Sequence, residues 1–269
     1  MTHGTRWFCR LLRTIYRPVL ARAGGQILHG RFLDLEHVRK GRWSDDDVDT
    51  FLDDLWAQVD ELLPLAELDE LPNWGNRHNV FLAVVTTAGY QVMVERDIQR
   101  DYAMRLLADV GWKVYASLLE VLAAPFGLTT SDTAVRMQRT LKALMIFPFS
   151  APGEPGYEVE AWAEGDDFYT YWTHCPPQTF VRNLVEQRGD HGELEAFFRS
   201  WCQYDWPGAD VLADDGEPGH YAREHTLSRG DSICDMCWHG RARPDEADDP
   251  RPPNAPSNSV TASPFCEST

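Results

Sequence analysis

The segment PGYEVEAWAEGDDFYTYWTH, residues 155–174, decides the fold class of this chain. Its Tyr, Trp, Phe and Val residues alternate with polar residues on both sides of a turn at 165–167, which predicts two antiparallel strands. The sequence before this segment has the period of helices. After it come predicted helices and strands at 180–187, 193–206, 223–228 and 233–239. Because strands and helices do not alternate regularly, we expect an α+β fold, with an N-terminal helical layer packed on a C-terminal antiparallel β-sheet with inserted helices.

Helical patterns fill the first 150 residues, with predicted helices at 5–23, 44–63, 79–96, 99–124 and 131–145. The first is basic and amphipathic and is predicted to end at Gly24-Gly25, while Ser44 and the acids after it have the pattern of an N-cap. Pro, Ser, Asn and charged residues dominate the C-terminus. The predicted organisation is an N-terminal helix and linker (1–43), a single α+β catalytic-type domain (44–240) and a disordered acidic, Pro-rich tail (241–269).

The composition argues against several classes of function. A formal net charge of −17 disfavours nucleic acid and anionic membrane surfaces as partners, since both select clustered Lys and Arg. No run approaches the ~18 apolar residues of a membrane span, and arginines at 10, 13 and 17 interrupt the N-terminal apolar stretch, so no signal peptide is predicted. We expect a cytoplasmic protein with reduced thiols, whose N-terminal helix docks to a protein partner or forms a homo-oligomer.

Four of the six cysteines lie between Tyr171 and Trp238. One predicted helix carries Cys202 and Asp205, and their spacing of three places both on one face. A hairpin turn carries Cys234 and Asp235, and His225 on the preceding strand is placed to meet that thiol. Such thiols and carboxylates can act as nucleophiles, as general bases or as groups that orient a histidine. The residues predict a cysteine and carboxylate site; cysteines that only pack the core are the alternative.

The spacing of Cys234 and Cys237 also fits a zinc site. The residues that could complete its tetrahedron are His174, Cys175, Cys202 and His239. One Cys-x-x-Cys pair, rather than two, is only part of a zinc-binding pattern. The prediction is therefore a site without metal or cofactor.

The helix predicted from residue 79 carries a polar stripe, with Asn79, Thr86 and Tyr90 on the face of Ala83. Polar groups on a buried helix need hydrogen-bond partners. Bonds to neighbouring backbone would satisfy them, and so would a ligand in a pocket that this stripe lines. Both interpretations stay open from the sequence.

A set of spaced residues resembles the L-2-amino-thiazoline-4-carboxylic acid hydrolase family. They are Cys175, Cys202-Gln-Tyr-Asp205, Arg223-Glu-His-Thr226-Leu227, Gly230-Asp231 and Cys234-Asp235. The resemblance covers most of residues 70–240 and implies an α+β enzyme that acts on a small cyclic amidine-like carboxylic acid. The family's named activity opens a thiazoline ring by adding water at a C=N carbon.

The resemblance and the residue patterns described above together assign expected roles to residues of this chain. Activation of water, or attack by a thiolate, falls to Cys234, Cys202, Asp205 and Asp235, with His225 beside them. Substrate contacts fall to Asn79, Thr86, Tyr90, Cys175 and the arginines that would hold a carboxylate, Arg77, Arg96 and Arg223. Two further functions remain open: a biosynthetic cyclase or lyase that forms a small ring by expelling a leaving group, and a non-catalytic ligand-binding or partner subunit.

Overall fold

The computed structural model describes residues 1–34 and 39–243, so part of the predicted linker and most of the predicted tail lie outside the described residues. The first half of the described chain is mainly helical. Its elements are α1 (His3–Leu28), β1 (Phe32–Asp34), β2 (Arg39–Arg42), α2 (Asp45–Leu62), α3 (Trp74–Glu95), α4 (Arg100–Gly127) and α5 (Thr133–Ile146). Strands β1 and β2 pair as a small antiparallel ribbon.

The second half combines strands with shorter helices. Its elements are β3 (Glu158–Glu164), β4 (Asp167–His174), α6 (Pro176–Arg188), α7 (Glu193–Ser200), a 3₁₀ turn at 202–204, α8 (Asp205–Ala213), β5 (Tyr221–Arg223), a 3₁₀ turn at 227–229 and β6 (Cys234–Trp238). The four strands β3 to β6 form an antiparallel sheet in the order β3-β4-β6-β5. The predicted α+β class and the predicted turn at 165–167 are confirmed.

The sheet has one buried face and one outer face. Along β4, Phe168 and Trp172 are buried, whereas Tyr169 and Tyr171 between them are more exposed, as the two-residue period of a strand requires. The buried face packs on α5 and α8, where Leu141 and Leu212 join the same apolar cluster. This packing brings the C-terminal ends of β4 and β5 and the N-terminal end of β6 next to the start of α8.

Several element boundaries differ from the prediction. Helix α3 begins at Trp74 and not at residue 79, the helix predicted at 193–206 is divided into α7, a 3₁₀ turn and α8, and the strand predicted at 223–228 ends at Arg223. Helix α1 continues through Gly24 and Gly25 to Leu28, whose side chain is fully buried. Burial of that leucine outweighs the weak helix propensity of two glycines. Likewise, α4 continues past Pro125 to Gly127. At the start of α2 the prediction is confirmed, because Ser44 and Asp47 form a reciprocal capping box.

Helix α1 uses part of its basic face within the fold. Arg13 lies 3.0 Å from Asp60, and Arg17 lies 2.9 Å from Asp53, so both arginines pair with acids of α2. Cys9, Leu12 and Tyr16 are buried, whereas other apolar side chains of α1, namely Trp7, Leu11, Ile15 and Val19, are exposed. Docking of a partner to this helix stays a prediction.

Helix α3 is the centre of the helical layer. Its side chains are buried nearly all round, and Val80, Phe81 and Val84 are almost completely removed from solvent. Burial of each such side chain stabilises the fold by ~1.5–3 kcal/mol. In the two described ranges, no helix is both long and apolar enough to cross a membrane.

Gly240, the second residue after β6, is expected to tolerate no side chain. A Cβ there would lie 2.5 Å from the Ala134 Cβ and would also meet the backbone carbonyl oxygen of Asp166. We expect Gly240→Ala to lower the free energy of unfolding by ~1–3 kcal/mol, measured by urea denaturation. Gly4→Ala is the matched control, since a Cβ at Gly4 has no neighbour within 4 Å. Equal stability of the two variants would contradict this account of the packing.

Candidate active site

Five of the predicted site residues come together where the sheet meets α8. Cys175 follows β4 as the N-cap of α6, Arg223 ends β5 and Cys234 begins β6. Cys202 begins the 3₁₀ turn at 202–204, and Asp205 begins α8. A 3₁₀ turn has three residues per turn, so Cys202 and Asp205 lie on the same side of it, as their spacing predicts.

An ion pair lies at the centre of this group. Nη1 of Arg223 donates to Oδ2 of Asp205 at 3.0 Å, and Nη2 donates to the carbonyl of Cys202 at 3.0 Å. The guanidinium also lies 4.5 Å from the ring centroid of Trp206. The arginine side chain is 2% exposed and the aspartate side chain 17%, so this pair is shielded from water. Shielding makes its electrostatics much stronger than those of a surface pair.

Asp205 is poised to exchange a proton near neutral pH. Burial raises the pKa of its carboxyl to about 6, although the charge of Arg223 and a 3.3 Å hydrogen bond from the Tyr221 hydroxyl act in the opposite direction. Among the described residues, the side-chain hydrogen bonds to this carboxyl all go to Oδ2. Oδ1 is therefore the oxygen that can accept a proton from a bound molecule.

The three thiols of the group are protonated at neutral pH. Burial raises the pKa of Cys202 to about 12 and that of Cys175 well above its usual value, and the pKa of Cys234 is raised for the same reason. Cys234 nevertheless has the best support for a thiolate. Its sulfur accepts the Leu227 N–H at 3.2 Å, and the Thr226 hydroxyl lies 3.4 Å away.

Aromatic residues form one wall of the group. The Tyr157 ring packs edge-on against Trp172 at 5.1 Å, and its hydroxyl accepts a hydrogen bond from the Asn79 amide at 2.9 Å. Burial, with Cys175 close by, raises the pKa of the Tyr157 hydroxyl well above its usual value. Burial and Asp205 likewise raise the pKa of Tyr115. Both phenols are therefore neutral groups that can donate a hydrogen bond to a ligand.

Sequence reasoning missed the three tyrosines of the site. Tyr221 could have been found, because it lies two residues before Arg223 and so shares its face of β5. Tyr115 and Tyr157 lie far from the cysteines in sequence, on α4 and just before β3. No spacing signal links them to the site, since packing alone brings them there.

Some predicted substrate contacts have other partners. The Thr86 hydroxyl accepts from the Trp201 indole N–H at 3.2 Å, and the Tyr90 hydroxyl donates to the carbonyl of His191 at 2.9 Å. Arg77 donates to the carbonyl of Leu71 at 2.9 Å. Arg96 pairs with Asp54 on α2. Of these four residues, only Thr86 lies near the buried cysteines, because its partner Trp201 directly precedes Cys202 in the sequence.

His225 and Asp235 lie on the outer face of the sheet. Asp235 follows Cys234 in β6, and consecutive strand residues point to opposite faces. Oδ2 of Asp235 lies 2.7 Å from Nδ1 of His225, and Oδ1 accepts the backbone N–H groups of His225 and Glu224. The hydrogen bond that Asp235 accepts from the imidazole raises the pKa of His225. The structure therefore does not bring this pair together with Cys202, Asp205 and Cys234.

The zinc site suggested by the Cys-x-x-Cys spacing does not form. Residues three apart in a strand also point to opposite faces, so the Cys234 thiol faces the buried group while the Cys237 thiol faces outward. One ion cannot bind both sulfur atoms in this arrangement.

Comparisons of the chain with protein family models, with curated proteins and with solved structures give no significant match. The case for a function therefore depends on the residues of the site.

Proposed function

We propose that this protein is a small-molecule enzyme that hydrolyses a cyclic amidine or thiazoline carboxylic acid. The observation that carries the proposal is the buried group of Asp205, Arg223 and three thiols, in which the carboxyl has a pKa of about 6. A carboxylate with such a pKa is a suitable general base at neutral pH, where it is largely ionised and still basic enough to take a proton from water.

In the proposed reaction, Oδ1 of Asp205 removes a proton from a water molecule as its oxygen bonds to the C=N carbon of the ring. The carbon becomes tetrahedral, and the ring nitrogen holds the electron pair of the former double bond. The electron pair on nitrogen then re-forms a C=N double bond as the ring carbon–sulfur bond breaks. The proton held by Asp205 passes to the departing sulfur. The product is the substrate plus one water molecule, with a free thiol.

Arg223 is proposed to hold the substrate carboxylate while it remains paired with Asp205. A planar guanidinium carries five N–H donors, so it can serve both anions. A second negative charge beside Asp205 would raise the pKa of its carboxyl further, which makes the carboxylate a stronger base in the complex. Tyr115 and Tyr157, as neutral donors, are suited to bind the ring nitrogen as charge develops there.

The proposal is tested with 2-amino-thiazoline-4-carboxylate as the probe and the reduced, full-length protein. We expect a product heavier by one water molecule in mass spectrometry, together with a new thiol that reacts with a thiol reagent. If water is the nucleophile, Cys234→Ser should retain part of the turnover, whereas covalent catalysis by this thiol requires its complete loss. Cys9→Ser, on α1, is the matched control and should have wild-type turnover. Absence of water addition to this probe and to a panel of cyclic amidine carboxylates would refute the proposal.

A further inference from the structure

We propose that Asp167, Cys237 and His239 form a zinc-binding site on the outer face of the sheet, separate from the candidate active site. Asp167 is the first residue of β4, Cys237 lies in β6 and His239 follows β6. Phe168 pairs with Trp238 in the register, so the residues on either side of this pair, Asp167 and His239, are also adjacent across the two strands.

The ligand atoms already have the spacing of a zinc site. Sγ of Cys237 lies 3.4 Å from Nδ1 of His239, and this nitrogen lies 3.4 Å from Oδ2 of Asp167. All three ligand atoms lie within 4.8 Å of one another. In a zinc tetrahedron, the usual bond lengths give edges of about 3.5 Å between sulfur and nitrogen and about 3.3 Å between nitrogen and oxygen. An ion can therefore enter with little movement of the ligands.

The donor set favours zinc over harder cations. One sulfur, one imidazole nitrogen and one carboxylate oxygen suit a borderline-soft ion, while magnesium and calcium select oxygen ligands. Three protein ligands leave a fourth position for water or a ligand.

Arg243 competes with a metal ion for the carboxylate. Its Nη2 lies 2.6 Å from Oδ2 of Asp167, the oxygen that faces His239. The guanidinium therefore supplies the positive charge that a zinc ion would supply. Its side chain is 42% exposed, so it can turn toward solvent when an ion binds. Removal of this charge should strengthen metal binding, which gives the proposal a test that does not depend on loss of a function.

The second group of metal-binding side chains on this face is a weaker candidate. It consists of Glu224, His225 and Asp235. The His225 side chain is 53% exposed, whereas His239 in the proposed site is buried. This group lacks a thiol, and a solvated surface pair accounts for its geometry.

The test is a titration of reduced, chelator-treated full-length protein with Co²⁺, followed by competition with Zn²⁺. We expect one equivalent to bind with a thiolate-to-cobalt charge-transfer band, which Zn²⁺ then removes. Cys237→Ser should abolish the band and weaken zinc binding by more than the ~10–100-fold that loss of an outer-shell partner costs. Asp167→Asn should keep the band but weaken binding, and Arg243→Ala should tighten it.

Cys234→Ser is the matched control, because it removes the other thiol of the Cys-x-x-Cys pair from the opposite face of the same strand. It should keep the band and the affinity. The proposal is overturned if the wild-type protein binds no stoichiometric Co²⁺, if Cys237→Ser retains the band, or if Cys234→Ser removes it. Circular dichroism of each variant separates loss of the site from loss of the fold, and Arg243→Ala keeps all three ligands in place.

Discussion

Replacing Asp205 by asparagine is expected to lower turnover of the thiazoline probe by a factor of ~10²–10⁴. Asparagine has the size of aspartate, and its oxygen can still accept the hydrogen bonds from Arg223 and Tyr221. It cannot take a proton from water. The substitution therefore removes the proposed acid–base function and leaves most contacts in place, which steady-state kinetics with the wild-type protein as reference would measure.

The pH profile distinguishes a general base from a residue that only shapes the site. The kcat/KM of the wild-type protein should rise with pH through about 6, because Asp205 loses its proton there. The variant should lack this rise. Asp53→Asn, which removes an exposed carboxylate paired with Arg17, should keep both the rate and the profile. An Asp205→Asn variant that keeps more than a tenth of wild-type turnover, or the rise near pH 6, would exclude Asp205 as the base.

The same pKa predicts how the fold responds to this substitution. Because the pKa of Asp205 in the folded protein, about 6, exceeds its usual value of 3.8, protonation of this carboxyl stabilises the fold. That contribution is fully present below about pH 4 and is lost as the pH rises through about 6. At pH 7 the wild-type protein has lost it, whereas a neutral asparagine has no charge to bury. Asparagine also removes the counter-charge of Arg223, whose side chain is 2% exposed. These two effects oppose each other, so we expect the variant to be about as stable as the wild type at pH 7.

The fold class could be predicted from the sequence because the period of the apolar residues changes near residue 157. Helix ends were less predictable. The ends of α1 and α4 depend on what their last turns pack against, and the local preference of glycine or proline does not contain that information.

The parts of the candidate site that could be predicted are those where the period of a helix, turn or strand decides which side chains point to the same side. The sequence predicts one helix that carries Cys202 and Asp205 on the same face. The structure interrupts that helix with a 3₁₀ turn, but the spacing of three still keeps the two residues on one side. Asp235 was grouped with Cys234 although neighbours in a strand point apart, so the period of two already contained the information that separates them. The tyrosines at 115 and 157 reach the site through tertiary packing, which no local pattern records.

The polar stripe of α3 shows that side chains on the same face of a helix can still have different neighbours. Asn79 and Tyr90 share a face, but eleven residues of helix separate them by about 16 Å along the axis. The two ends of the stripe can contact different parts of the chain. Asn79 therefore contacts Tyr157 beside the thiols, whereas Tyr90 contacts the chain before α7.

Replacing Arg223 by methionine is expected to lower the free energy of unfolding by ~3–5 kcal/mol at pH 7. Methionine has a similar length and remains apolar, so packing on Trp206 is partly kept. Because methionine carries no charge and no N–H donor, the Asp205 carboxylate stays buried without a counter-charge and the Cys202 carbonyl loses its hydrogen-bond donor. Urea denaturation, followed by circular dichroism, measures the effect.

A double variant assigns this loss to the ion pair. In Arg223→Met with Asp205→Asn, no buried charge remains, so the double variant should be more stable at pH 7 than Arg223→Met alone. Arg17→Met is the control for removing an arginine from an exposed pair and should cost less than ~1 kcal/mol.

The pH dependence of Arg223→Met gives an independent check. Without the guanidinium, the pKa of Asp205 rises further above about 6, because burial then acts without the attraction that opposes it. The protonated carboxyl has no charge to compensate, so the destabilisation should become smaller as the pH falls from 7 toward 5 and larger as the pH rises above 7. The double variant should lack this dependence. A destabilisation that is equal at pH 5 and pH 8 would mean that Arg223 stabilises the fold through packing on Trp206 and its bond to Cys202, and not through the charge of Asp205.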